Sequence, residues 1–433
     1  MKVLILTLGT RGDVQPFVAL ARQLHQQGHE AVIAAPHRFA AFVRDHGVTF
    51  AGVDDGPLRV LDEGSPVADV ANGGVRAKLA LARALPTMFT QLLRDCWVVA
   101  SEGAGRGADL VVHNGQIVAG PHLAEKLGIP AVLALPLPMY VPTGAFPWPG
   151  QDLPHTLPAV VNRLSYAGMR GTTLMFGHRI DRWREELGLP RRRGRHDPLR
   201  TVDGAPAPVL HAVSPHVLPR PADWPATAVM TGYWFLEDTA TTPEAQSLPA
   251  DLDAFLAAGE PPVFVGFGSM SGADPAATTV TVVEAARRVG TRVVLATGWG
   301  GLGAVPPSDD VLVVGDVPYH RLLPRVSVVV HHGGAGTTGA AVAAGRPQLV
   351  CPYVADQPFR GRRMRALGVA PEPISQRKLG PENLAGALSQ ALGDRAMATA
   401  AAELGRRVRA ENGVAAAVRE LEKVVGGTPT SPV

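Results

Sequence analysis

At 433 residues the chain is long enough for two domains with separate cores, and with 46% hydrophobic residues its many Gly and Pro read as βα connections, not as disorder. Lys and Arg (41) nearly balance Asp and Glu (38), for a net charge of +3, and no basic stripe interleaved with aromatics appears, which excludes nucleic acid as the main partner. Cys96 and Cys351 lie far apart with no metal-ligand spacing, so both read as reduced core thiols of a cytoplasmic protein. The apolar opening from Val3 to Leu8 is too short for a signal peptide, and no apolar run approaches a membrane span, so at most a peripheral membrane contact is expected.

Lys2 to Leu8 reads as a buried strand, and Pro16 to Gln27 as an amphipathic helix with Phe17, Leu20, Ala21 and Leu24 on one face. The joint between them, TLGTRGDVQP, lacks the Gly-x-Gly-x-x-Gly of a dinucleotide fold, which counts against a nicotinamide enzyme. Asp13 in this joint is, from the residues alone, either a carboxylate that suits a helix N-terminus or a general base. The helix end and Arg11 are both expected to lower its pKa.

Further strands are expected at Glu30–Ala35, Leu110–His113 and Ala131–Leu135, with helices at Phe39–His46 and Ala119–Leu127; this alternation predicts a parallel sheet covered on both faces. The connections at 52–82 and 136–158 are long and irregular, and loops of that length are commonly functional. The second carries Met139, Tyr140, Phe146 and Trp148, whose aromatics read equally as loop packing or as the lining of a ligand site. Asn162 to Leu187 is the longest helical pattern, and the Arg191–Arg195 run after it reads as a solvated loop. Val209–Ser214 is expected to be the last strand of the first domain, and the prolines of 215–225 read as a linker.

The second half repeats the alternation, with strands at Val263–Gly266, Val293–Thr297, Val311–Val314, Val326–Val330 and Gln348–Cys351. Helices fill the gaps, such as Ala277–Val289, and Glu382–Val425 reads as helical. Ser269 and Trp299 close the first two strands. The most informative stretch is 326–357: a β-branched strand, then HHGGAG, Thr337 and Thr338 able to cap a short Ala-rich helix that stops at Gly345, another strand, and Asp356-Gln357. Three glycines in four positions let the backbone approach a ligand, and the unpaired N–H groups of the following helix suit a phosphate. Polar groups at the carboxyl ends of neighbouring parallel strands share one crevice. No Asp-x-Asp pair stands where a divalent ion would be expected; Asp54-Asp55 and Asp309-Asp310 are adjacent pairs that resemble turn residues, so no metal and no cofactor are expected.

HHGGAGTTG with Asp356-Gln357 resembles the donor-sugar signature of the family 1 glycosyltransferases, in particular the sterol-glucosyltransferase and bacterial natural-product branch, and Gly12-Asp13-x-x-Pro16 resembles the corresponding joint of sterol and glycopeptide glycosyltransferases. The resemblance covers almost the whole chain. It implies the α/β GT-B fold, two Rossmann-like domains facing across a cleft: an acceptor-binding domain over 1–215, a linker over 216–225, a nucleotide-sugar domain over 226–408, and a C-terminal helix over 409–433 that returns to the first domain. It implies Asp13 as the base, and His332, Ala335, Gly336 and Thr337 at the donor diphosphate, with Thr10, Arg11 and Ser269 also facing it. Asp356 and Gln357 would hold the sugar, and the backbone of Val317 would read the nucleotide base. Asp316 stands where plant members stack a tryptophan, and Ala340 where they have a ribose-binding glutamate. His113, Tyr140, Phe146 and Trp148 are the acceptor-side candidates, together with the loop around Leu58–Leu85.

The implied reaction is inverting, metal-independent transfer of a hexose from a UDP- or dTDP-sugar to a hydroxyl of a hydrophobic acceptor, by a monomer or weak dimer. Two other classes fit a similar build: a nucleotide-sugar epimerase, which would turn over without an acceptor, and a non-catalytic sugar-nucleotide binder, which would lack a working base.

Overall fold

A computed structural model of the chain describes residues 1–55, 75–154, 157–191, 196–236, 247–268, 274–297, 302–303 and 308–427, without the side chains of 75–83, 170 and 172–174. In the first domain the elements run β1 (Lys2–Leu6), α1 (Arg11–Gln26), β2 (Glu30–Pro36), α2 (Ala40–Asp45), β3 (Thr49–Val53), α3 (Val75–Ser101), β4 (Leu110–His113), α4 (Gly120–Leu127), β5 (Ala131–Leu135), α5 (Ala159–Ser165), α6 (Gly171–Glu186), β6 (Val209–His211) and β7 (Ala228–Met230). The strands form one parallel sheet in the order β3-β2-β1-β4-β5-β6-β7. The second domain runs α7 (Ala250–Ala257), β8 (Val263–Gly266), α8 (Pro275–Arg288), β9 (Val293–Ala296), β10 (Val311–Val314), α9 (Tyr319–Leu322), β11 (Val329–His331), α10 (Ala335–Ala344), β12 (Gln348–Val350), α11 (Gln357–Ala366), α12 (Pro381–Gly393), α13 (Arg395–Arg409) and α14 (Gly413–Gly426). Its parallel sheet has the order β10-β9-β8-β11-β12. Both are α/β sheets of the expected GT-B kind.

The uninterrupted apolar run of β1 follows from burial on both faces. Val3 and Ile5 face α1 and α14, while Leu4 and Leu6 face α3 and α6. Each such side chain contributes about 1.5–3 kcal/mol on burial. α14 returns to the first domain, where Ala417, Val418 and Leu421 join its core and Glu422 meets His29 at 3.0 Å. Cys96 and Cys351 are buried free thiols. Among the described residues no helix is long and apolar enough to cross a membrane.

Several expectations change. The segment 216–225 is no linker. Trp224 stacks on His211 at 4.3 Å and donates to the Val141 carbonyl, and Arg220 clamps the carbonyls of Trp224, Pro225 and Ala228. The chain then adds β7 to the first sheet, a three-residue edge strand too short to give a periodic signal. Part of the supposed irregular connection after residue 52 is β3 and the start of the 27-residue α3. The long helix over 162–187 is two, α5 and α6, joined by a 3-10 turn at Tyr166–Arg170. Val326 and Val328 are buried but precede β11, which begins only at Val329.

Strand order reverses between β1 and β4 in the first sheet and between β8 and β11 in the second. Crevices for ligands open at the carboxyl ends of strands at such switch points. The first turn of α1 after β1 carries Asp13, and the loops that leave β4, β8 and β11 carry Gln116, Gly268 and His332.

Candidate active site

α1 begins at Arg11, five residues before the expected start, and Pro16 lies inside it. Pro16 resembles a first-turn proline, but a local cap decides the boundary. Thr10 caps the helix, and its N–H and Oγ1 both donate to Asp13 Oδ2, at 2.7 and 3.1 Å. Thr7 Oγ1 donates to the Asp13 carbonyl at 2.8 Å. Buried Asn114 ties this turn to the β4 loop: its Nδ2 donates to Thr7 Oγ1 and the Leu8 carbonyl, and its Oδ1 accepts from the N–H groups of Gln116 and Ile117. Gly9, at φ 130°, cannot be replaced, because a Cβ there would stand 2.2 Å from Asp13 Oδ2 and 2.6 Å from Gln116 Oε1. Asp13 Oδ1 has no partner among the described residues and is not among the fully buried polar atoms. One oxygen is thus held and the other is free to accept a proton.

The expected lowering of the Asp13 pKa is overturned. Burial pushes it up to about 6; Thr10's hydrogen bonds oppose the rise, Asp356 adds to it and Arg360 opposes it. Desolvation outweighs the helix end. Arg11 turns away from Asp13: it pairs with Asp316 of the second domain, donates to Gln15 Oε1 at 3.2 Å and lies over the Phe42 ring at 5.0 Å. Thr10 is likewise spent on Asp13.

In the second domain the two histidines divide as the spacing suggests. His331 is fully buried, accepts from the Gly333 N–H at Nδ1 and lies 2.8 Å from Gln348 Oε1 at Nε2, while burial drives its pKa down to about 3. The His332 ring lies between two glycines, since a Cβ on Gly334 would stand 2.3 Å from Nε2 and one on Gly268 3.1 Å from Cε1. Its Nδ1 is buried and unpartnered. Burial first, then Arg360, lower its pKa to about 4, so the imidazole is neutral near pH 7.

Helix α10 starts at Ala335 with Gly334 as cap, not at Thr337, because the glycine turn already carries the N-cap geometry. The first backbone bond runs from Thr338 N–H to the Gly334 carbonyl at 2.9 Å, so the N–H groups of Ala335, Gly336 and Thr337 have no helical acceptor. Buried Thr338 adds an unpartnered Oγ1. The Val317 side chain is buried in the core beside β10, and no hydrogen bond engages its backbone among the described residues. Ser269, Trp299 and residues 192–195 of the arginine run lie outside the described residues.

Asp356 and Gln357 stand at the start of α11, both already engaged. Gln357 Oε1 accepts from the N–H groups of Tyr353 (2.8 Å) and Val354 (3.2 Å), which leaves its Nε2 for a ligand. Asp356 pairs with Arg360, and Ala355 just before it holds a left-handed φ of 56°, a strained conformation of the kind that clusters at functional sites. Neither Arg360 nor Asn114 was singled out from the sequence. An (i, i+4) Asp–Arg pair was readable for Arg360, but nothing local marks Asn114.

The acceptor-side candidates separate. His113 is 2% exposed, packs under Gly120, has its Nδ1 3.1 Å from the Asn114 carbonyl, and burial lowers its pKa to about 4; it is a core residue. Tyr140 stays near Asp13, its hydroxyl donating to the Gly115 carbonyl at 2.5 Å. Phe146 is buried against Phe359 of the second domain at 5.3 Å, and so closes the cleft instead of lining an open one. Trp148 is half-buried over Gly150, with its Nε1 buried and unpartnered. A cavity of about 30 Å³ between the domains, bordered by Pro138, Tyr233, Thr338, Asp356 and Phe359, is large enough for one water. Residues 56–74 of the loop around Leu58–Leu85 lie outside the described residues.

Residues 3–144 match the Glycosyltransferase family 28 N-terminal domain, and residues 281–424 match the Erythromycin biosynthesis protein CIII-like, C-terminal domain. The chain is 36% identical over 422 residues to O-mycaminosyltylonolide 6-deoxyallosyltransferase of Streptomyces fradiae, covering 96% of this chain and 95% of that one. It is 33% identical over 465 residues to a sterol 3-beta-glucosyltransferase of Emericella nidulans, where it spans 100% of this chain but only 31% of the relative. The fold is similar to that of the glycotransferase of kitacinnamycin (TM-score 0.71, 21% identity, 98% of each chain) and of a calicheamicin glycosyltransferase (TM-score 0.67, 18% identity, 100% and 99%).

Proposed function

Because this chain belongs to the GT-B glycosyltransferases of the sterol-glucosyltransferase and bacterial natural-product branch, we propose that it transfers a hexose from a UDP- or dTDP-sugar to a hydroxyl of a hydrophobic small molecule, with inversion and without a metal ion. The observation that carries this reading is the half-held carboxylate of Asp13, with Oδ2 fixed by Thr10 and Oδ1 free, in one electrostatic neighbourhood with Asp356 and Arg360 of the second domain.

In the proposed step the donor diphosphate lies on the free N–H groups of Ala335, Gly336 and Thr337 beside His332. The sugar lies toward Asp356 and Gln357 Nε2. The acceptor oxygen attacks the anomeric carbon from the face opposite the nucleotide, its proton passes to Asp13 Oδ1, and the bond to the diphosphate breaks. Negative charge then grows on the leaving group, where the preorganised N–H groups stabilise it. These fixed donors take the part that a divalent ion would otherwise play. Two relatives support the natural-product and sterol acceptor classes: one acts, by its name, on O-mycaminosyltylonolide and the other on sterols.

A panel of UDP- and dTDP-sugars against hydrophobic polycyclic alcohols, read by mass spectrometry, tests the proposal. A hexose-mass adduct is expected with at least one pair, at a rate that excess EDTA leaves unchanged. Donor consumption without any glycoside, or a rate abolished by EDTA and restored by Mg²⁺, would count against it.

A further inference from the structure

Arg360 is the one element of the site with no role yet. It lies one turn into α11 with its side chain 13% exposed, and its partner Asp356 is 14% exposed. Besides that ion pair, its Nη1 donates to the Gly333 carbonyl at 3.0 Å. Gly333 is held on both sides: its N–H goes to His331, and its carbonyl to Arg360. The turn is also pressed against α11, since a Cβ at Gly333, where φ is 89°, would stand 3.1 Å from the Gln357 carbonyl oxygen. Arg360 therefore fastens the loop after β11 to the loop after β12. The first carries His332 and the start of α10; the second carries Asp356. A donor lying as proposed above would span this junction, diphosphate on one loop and sugar on the other.

We infer that Arg360 is a positioning residue of the donor site, fixing the Asp356 carboxylate for the sugar and locking the Gly333 turn beneath the diphosphate. This rests on the proposed function for the identity of the ligand. Both contacts come from the one nitrogen Nη1, at the end of a planar, rigid guanidinium; a lysine supplies the charge as a compact ammonium on a flexible stem, without that fixed orientation. Arg360 also faces titratable groups from several elements: Asp13 at the start of α1, His331 and His332 at the end of β11, Asp356 ahead of α11, and Tyr233 from the segment after β7. Asp13 in turn faces Thr10, Tyr140 and Asp356. As a cation beside Asp13, Arg360 favours the ionised carboxylate and opposes the effect of burial.

The test compares Arg360→Met and Arg360→Lys with the wild type. Calorimetry would measure UDP-glucose against UDP, and dTDP-glucose against dTDP; ¹³C carboxyl NMR would follow the titration of Asp13, assigned through Asp13→Asn. In the Met variant, the affinity of the sugar nucleotide relative to its diphosphate should fall about tenfold or more, the scale of a lost charge-assisted hydrogen bond. Its Asp13 should titrate at higher pH, because a stabilising cation is gone. The Lys variant should keep the wild-type Asp13 titration and still lose the relative affinity for the sugar nucleotide. An unchanged affinity ratio together with an unshifted Asp13 in both variants would overturn the inference. If neither diphosphate binds the wild type, the proposed function fails, and the Asp13 titration still decides whether Arg360 acts on the site. Should the Met variant not fold, the Lys variant decides through the affinity ratio.

Discussion

Asp13→Asn is expected to lower kcat by about 10²–10⁴-fold, the usual worth of a general base. The substitution keeps the shape. Its amide oxygen can take the place of Oδ2 and accept from Thr10 N–H and Oγ1, so the turn that Thr7 and Asn114 brace should stay intact. Donor affinity should change little, because Asp13 lies in the first domain and the proposed donor groups in the second. The pH profile provides a second signature. The base works ionised, and burial raises its pKa to about 6, so wild-type kcat/KM should be flat above that value and fall as the pH drops through it. The variant should lose this limb. The sign for stability is the reverse of a salt-bridged aspartate. A folded-state pKa above the unfolded one favours the fold at low pH, and that contribution is lost as pH rises through about 6. The neutral Asn escapes this loss, so its Tm near pH 8 should equal or exceed that of the wild type. Retention of more than a tenth of wild-type turnover, with chemistry rate-limiting, would remove Asp13 from the mechanism. His113 would not replace it, being buried with its pKa lowered to about 4.

His332→Ala should weaken binding of UDP and dTDP by about 10- to 150-fold, corresponding to the roughly 1.5–3 kcal/mol of a hydrogen bond to a charged group. The imidazole cannot serve as a ready cation, since burial and Arg360 keep it neutral near pH 7. If it faces the diphosphate, it does so as a neutral dipolar group, and its Nδ1, buried and without a hydrogen-bond partner, is already out of contact with water. The ring lies close to Gly268 and Gly334, which leaves it little room to move. Calorimetry with the free nucleoside diphosphates isolates this contact from the sugar. Unchanged affinity would mean that His332 does not face the phosphates.

Much of this geometry was legible in the sequence because it rests on local pattern. Continuous apolar runs marked β1, β8 and β10, for burial on both faces leaves no polar alternation. Spacing separated His332 from His331, and the structure finds the latter tied to Gln348 inside the core. Non-local physics was not legible. The start of α1 depends on Asp13 closing back on Thr10, a bond that outweighed the proline signal five residues later. The pKa of Asp13 follows from its burial, which outweighs the Thr10 bonds and Arg360, so a reading of its sequence neighbours gave the wrong sign. Trp224 looked like part of a linker because its partners, His211 and the Val141 carbonyl, are distant in sequence. Arg360 carries no local signal of its bond to the Gly333 carbonyl, because that partner lies in the loop after another strand.

The most direct test of the account is the anomeric configuration of the glycoside formed from a donor of known configuration, read from the ¹H–¹H coupling of the anomeric proton. A single displacement with Asp13 as base, opposite the diphosphate held by His332 and the start of α10, predicts a β-linked glucoside from an α-linked glucose donor. An α-linked product would contradict it, because retention requires either a covalent sugar intermediate or attack from the nucleotide's own face.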